Sequence, residues 1–198
     1  MALSAQTPTE RRAGLSDYLA IPEADRFHEL LDGQIVQKAL PSFRHGWAQR
    51  KLGACLDPYS GRPGGIGRPG GWWIVSEVEL DLLPGTRIQP DLCGWRCENL
   101  PEPPEGVVAV RPDWVCEVLS PSTASRDLLV KRNLLERAGV PHYWLLDPMQ
   151  QTVTVLRLTD GHYVLSQQAE RDQTLRGEPF ELIEIPVATL YMGVERAG

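Results

Sequence analysis

The chain has 198 residues, with 42% hydrophobic and 23% charged side chains, a net charge of −6 and a pI near 5.3. That size buries a real core without disulfide or metal staples, and the apolar and charged fractions are ordinary for a globular protein. The acid excess argues against a broad basic DNA-binding face, and no apolar run reaches the roughly 20 residues a bilayer span needs.

Residues 1–14, "MALSAQTPTERRAG", are polar, lack the apolar core of a signal peptide and read as a mobile tail. Residues 15–198 read as one domain, and the chain as cytoplasmic. Ser16 is the expected N-cap of a first helix. A second short helix is expected over Glu23–Leu31, with Asp32-Gly33 turning into the strand "QIVQKA". In "RHGWAQRKLGACL", His45, Ala48, Leu52 and Cys55 recur at helical spacing.

The next stretch, "SGRPGGIGRPGG", has six glycines in twelve residues and reads as a loop carrying Arg62 and Arg68. Those two arginines are weak candidates for phosphate-backbone contacts, a solvated connector being the plainer reading. "WWIVSEVELDLL" alternates apolar and acidic residues as one long strand, and Pro84-Gly85 turns it into "RIQPDLCGW". A proline-rich loop follows, then "DWVCEVL", a nearly continuous apolar run suited to a central strand. "SPSTAS" supplies a turn and cap, the helix Ala124–Ala138 stops at Gly139, and "PHYWLLDP" is a second central strand. "TVTVLRL", "HYVLSQQ" and "FELIEI" close the chain as strands, with Asp160-Gly161 as a hairpin turn. The class is α/β or α+β, with one main sheet.

Cys55, Cys93, Cys97 and Cys116 offer only one close pair and no second pair at zinc spacing, so a structural zinc is not expected. The informative residues are charges where the pattern asks for apolar groups. Glu117 lies inside an apolar strand, and Asp91 inside another, after a proline. On a helical wheel of about 100° per residue, Lys131 falls at the centre of the arc made by Ala124, Leu128, Leu134, Leu135 and Ala138. A lysine there can snorkel to water or pair with Asp127. Beside a strand carboxylate, which is costly in a dry interior unless paired or holding metal, it reads as a partner. The plain version is a buried ion pair. The sharper version joins Asp91, Glu117 and Lys131 in metal-assisted phosphodiester hydrolysis.

The residues Pro90-Asp91, "CEVLSPST", "RDLLVKRNLLERAGVPHYWLLDP" and "FHELLDGQIV" together resemble the Uma-type restriction endonuclease-like family, placed in the PD-(D/E)xK nuclease superfamily. The resemblance runs from about Leu15 to Leu190 and is densest over Pro112–Pro148. It implies a restriction-endonuclease-like mixed central sheet flanked by helices, with extra C-terminal strands, and a Mg²⁺- or Mn²⁺-dependent endonuclease acting on DNA. Asp91 matches the acid of the PD element and Glu117 that of the (D/E)xK element. Leu119 stands where that motif would place its lysine, so Lys131 takes the role from the following helix. Glu29 matches an acidic residue of the N-terminal helix, and the Val118 carbonyl completes the expected metal ligands. His45 and Asp113 are weaker candidates for supporting roles, and Tyr143 reads as core. A homodimer is expected, with Trp72 and Trp73 as candidate interface residues. The alternatives are a non-catalytic nuclease-fold module that binds DNA or a protein, and a metal-dependent hydrolase with another substrate.

Overall fold

The computed structural model describes residues 11–63, 68–120 and 124–193, and side chains in the last segment from residue 129 onward. Most of the expected tail, the middle of the glycine loop and the Ser-Pro turn lie outside the described residues. Ala13 donates its N–H to the Gly33 carbonyl at 2.7 Å, so residues 11–14 lie against the domain. α1 is Leu15–Leu19 and is capped by Gly14, whose N–H donates to the Asp17 carboxylate at 2.7 Å. Ser16, the expected cap, is inside the first turn.

The helix expected over Glu23–Leu31 is not formed. Glu23–Asp25 make one 3₁₀ turn, and β1, His28–Leu31, pairs antiparallel with β2, Gln34–Gln37. Asp32 and Gly33 take φ of 46° and 82°, the tight turn that holds two extended arms in register. Leu30 also exchanges backbone hydrogen bonds with Arg87, so β1 is laddered on both edges. α2, Phe43–Leu56, starts at Ser42, whose Oγ accepts from the His45 N–H at 3.2 Å.

β3, Trp72–Ser76, is shorter than the alternating run suggests, because Glu77 takes φ of 57° and turns the chain out of the ladder. Leu80 re-enters as isolated bridges to Ile88 and Val108. β4 is Leu92–Arg96 and β5 is Trp114–Val118. α3, Ala124–Ala138, ends where Gly139 adopts φ of 73°, and leads to β6, His142–Asp147. β7, Thr152–Thr159, and β8, His162–Glu170, form the expected hairpin. "FELIEI" contributes only to β10, Ile185–Pro186, which pairs with β9, Thr174–Leu175.

The main sheet runs β3-β4-β5-β6-β7-β8, antiparallel throughout except for β5 beside β6, which are joined by α3. Side chains alternate across β5. Trp114, Cys116 and Val118 join the core under α2, with Ala48, Leu52 and Leu56. Val115 joins the core under α3, with Tyr143, Leu134 and Leu135. Glu117 has the parity of Val115 and therefore faces α3. Trp72 is buried in the first core and cannot form a subunit surface, while Trp73 is half-buried and donates Nε1–H to the Leu100 carbonyl. All four cysteines are free. No helix among the described residues is long and apolar enough to cross a membrane.

Candidate active site

The charges that interrupt the apolar pattern meet at one end of the sheet. Lys131, on α3, places Nζ 2.9 Å from Glu117 Oε1 and 3.0 Å from Glu29 Oε1, which comes across from β1. Glu29 Oε1 also accepts the Gln89 N–H at 2.8 Å. Asp91, immediately before β4, accepts the Val118 N–H on Oδ2 at 2.7 Å, which ties it to the residue after Glu117. Its Oδ1 stands 3.2 Å from His45 Nε2 and 4.0 Å from Lys38 Nζ. These groups wall a cavity of about 480 Å³ that also meets Leu119, Ser120 and the edge of Tyr143.

Glu29, Asp91, Glu117 and Lys131 are each less than a tenth exposed, so water screens their mutual fields little. Burial raises the pKa of Glu117. The Asp91 and Glu29 charges add to that rise, Lys131 opposes it, and the carboxyl is pushed up to about 8. Burial also acts upward on Asp91, but the His45 hydrogen bond and the Val118 N–H outweigh it and hold the carboxylate below its usual range. Lys131 is lowered by burial and raised further by Glu117 and Glu29, so it stays charged. The two acids are therefore shifted in opposite directions. Asp91 is held as a carboxylate, and Glu117 binds its proton more tightly than an ordinary glutamic acid, beside a cation it shares with Glu29.

This shift has a sign in stability. An ordinary glutamic acid ionises near 4.5, and Glu117 in the fold near 8, so the folded state holds the proton more tightly. The resulting stabilisation is complete below about pH 4.5 and is lost as pH rises through about 8. Wild type is expected to lose stability between about pH 6 and pH 9 relative to Glu117→Gln, whose amide does not titrate. Paired urea unfolding at the two pH values measures the difference, and parallel loss in both proteins contradicts it.

A family model described as "Uma2: Putative restriction endonuclease" matches residues 15–188. The chain belongs to the Uma2 family. The fold of this Uma2 chain is also similar to a crystal structure from Anabaena variabilis ATCC 29413, described as "a putative nuclease belonging to DUF820". The two are 21% identical, with a TM-score of 0.71 over 89% of this chain and 96% of that one. Comparison with curated protein sequences gives no match.

Of the site residues expected from sequence, Glu29, His45, Asp91, Glu117, Val118 and Lys131 come together in this Uma2 chain. Glu29 does so from a strand and not from the expected helix. Asp113 does not join them. It sits at the far end of β5, accepting from the Arg96 N–H and the Asn99 amide, each at 2.8 Å, and holds a turn. Arg62 is also remote, beyond the Trp72 end of β3, donating to the Pro101 carbonyl and lying over Trp73. Arg68 is exposed on the same loop and does not line the cavity.

Sequence reading missed a polar group on the other flank of Asp91. Lys38 donates to Glu77 Oε2 at 2.6 Å and to the Gln89 carbonyl at 2.8 Å, and Gln49 donates to the Asp91 carbonyl at 2.8 Å. The signal for Gln49 was its place four residues after His45 on one helix. Lys38 and Glu77 carried none, since each sits in a polar slot of a strand-like run. Tyr143 is core by its ring, but its buried hydroxyl has no hydrogen-bond partner among the described residues and borders the cavity.

The donor chemistry fits a small divalent cation. Among the described residues no three His, Cys, Asp or Glu side chains form a ready-made cage. Mg²⁺ does not need one, since it ordinarily takes one or two carboxylates and completes its shell with water and substrate phosphate. Three buried carboxyl groups face one buried ammonium, with Lys38 reaching only to 4.0 Å from Asp91, and the raised pKa of Glu117 marks the carboxyl that binds a proton most readily. A cation would displace that proton.

Proposed function

We propose that this chain is a metal-dependent endonuclease that hydrolyses phosphodiester bonds in DNA. The observation supporting it is the meeting, on one cavity wall, of Asp91, Glu117 and Lys131, with the Lys131 ammonium 2.9 Å from Glu117 and Asp91 tied to the Val118 N–H at 2.7 Å. Asp91 and Glu117 would hold Mg²⁺ or Mn²⁺, with the Val118 carbonyl as a neutral ligand and Glu29 supporting a second ion or its water. A metal held there would supply the Lewis acidity that lowers the pKa of a water and offsets charge on the reacting phosphate.

The protein's own groups prepare that step. The Val118 N–H and His45 fix the two oxygens of Asp91, so the carboxylate need not reorganise. Lys131 spans Glu117 and Glu29, holding both carboxyl groups in place, and offers positive charge to an attacking water or to the phosphate. Cutting both strands of a duplex calls for two such centres, so the reading includes a homodimer.

Supercoiled plasmid incubated with the purified chain tests it. Nicked and linear products are expected in Mg²⁺ or Mn²⁺ and not in EDTA. Intact plasmid under every metal condition, with a folded protein, overturns the reading and favours the non-catalytic module.

A further inference from the structure

The glycine-loop arginines lie far from the cavity, so phosphate contacts must be sought elsewhere. α2 carries them. Its 14 residues contain no aspartate or glutamate, in a chain whose net charge is −6. Ala48, Leu52 and Leu56 turn into the core, and His45 and Gln49 reach Asp91. The opposite face presents Arg44, Arg50 and Lys51, none of which has an acidic partner among the described residues.

Two of these cations, Arg50 and Lys51, lie against an aromatic ring instead. Lys51 Nζ lies 4.9 Å and the Arg50 guanidinium 5.9 Å from the Trp47 ring, which stacks at 6.4 Å on Phe43. Cation–π contact orients a positive group without neutralising it, so the field remains directed outward. Phe43 is 73% exposed, and Leu40 and Pro41, just before the helix, line the cavity. A strand lying along the first three turns of α2 would therefore run past Phe43 to the cavity rim.

We infer that the outer face of α2 is the docking track for the DNA backbone, with Arg44, Arg50 and Lys51 binding successive phosphates and Phe43 meeting the strand at the cavity rim. The occupant is a polyanion because the face is cationic and unpaired on an acidic protein. It is a nucleic-acid strand because exposed aromatic surface lies in line with the cations and leads to a phosphodiester-cleaving centre. This rests on the reading of the chain as a DNA-cleaving enzyme.

The test is binding of a fluorescein-labelled duplex to the full chain in EDTA, across a salt series. The triple variant Arg44→Ala, Arg50→Ala, Lys51→Ala places alanine at two exposed positions and one half-buried one, where it favours the helix, and a matching far-UV circular dichroism spectrum checks that folding is retained. Its affinity is expected to fall at least about 10-fold, with the slope of log K against log salt shallower by about 2 to 3. Conservative Arg44→Lys, Arg50→Lys is expected to keep the slope. Wild-type affinity and slope in the triple variant overturn the track while leaving the nuclease reading intact if plasmid is still cut. Loss of binding to anionic phospholipid vesicles alone, with DNA binding unchanged, also overturns it. Failure of wild type to cut plasmid is the separate result that removes the nuclease reading.

Discussion

Replacing Lys131 by methionine is expected to destabilise the chain by about 3–5 kcal/mol, the cost of leaving a buried charge without its partner. Methionine keeps most of the lysine stem, so the packing of α3 on the sheet survives and the change is one of charge. The lysine stands 3.0 Å from Glu29 and 2.9 Å from Glu117, and all three are buried. Near neutral pH Glu117 can shed its charge by keeping a proton, as its rise to about 8 implies. Glu29 is then the carboxylate left unpaired, and Glu29→Gln in the Lys131→Met background is expected to recover most of the loss. Urea unfolding of the single and double variants checks this. A single variant within experimental error of wild type would mean that water already neutralises the cluster.

Asp91→Asn is expected to lower plasmid cleavage by at least about 10²-fold, the scale set by losing one preorganised charge at a reacting centre. The amide oxygen can still accept the Val118 N–H, so the turn into β4 should hold, and losing the charged contact with His45 should lower stability by no more than about 1.5–3 kcal/mol. DNA binding in EDTA should also be unchanged, because no phosphate contact is assigned to Asp91. Cleavage at the wild-type rate would remove Asp91 from the chemistry. A fall in cleavage matched by an equal fall in stability would assign it to structure alone.

Glu117 and Lys131 were legible in the sequence because each breaks an apolar pattern that is otherwise regular, and breaking it is costly unless the groups meet. Asp91, expected inside a strand, stands just before β4 and was legible only as a carboxylate beside an apolar run. The β5-α3-β6 unit was legible for the related reason that its strands are nearly all apolar and its helix is strongly periodic. "FHELL" was less so. Two leucines after a glutamate suit a helix as well as a strand, and what decides is the ladder of Leu30 with Arg87, a contact 57 residues away in the chain. The break at Glu77 was invisible, since apolar and acidic residues go on alternating on either side of its left-handed backbone. Asp113 shares a strand face with Glu117 by spacing, but a strand four residues further back lies at the other end of the sheet. The cationic face of α2 was hidden twice. Its three cations are interleaved with core residues, and the net acidity of the chain argued against any basic surface.

The central claim is that surplus acid at Asp91 and Glu117 is there to hold a divalent cation. Thermal unfolding of wild type and Glu117→Gln with and without Mn²⁺ tests it most directly. Wild type is expected to gain about 5 °C or more at a hundredfold excess of Mn²⁺ over its Kd, by linkage of binding to folding. Glu117→Gln should gain nothing. An equal gain in both proteins, or none in wild type, would contradict a metal site at these residues.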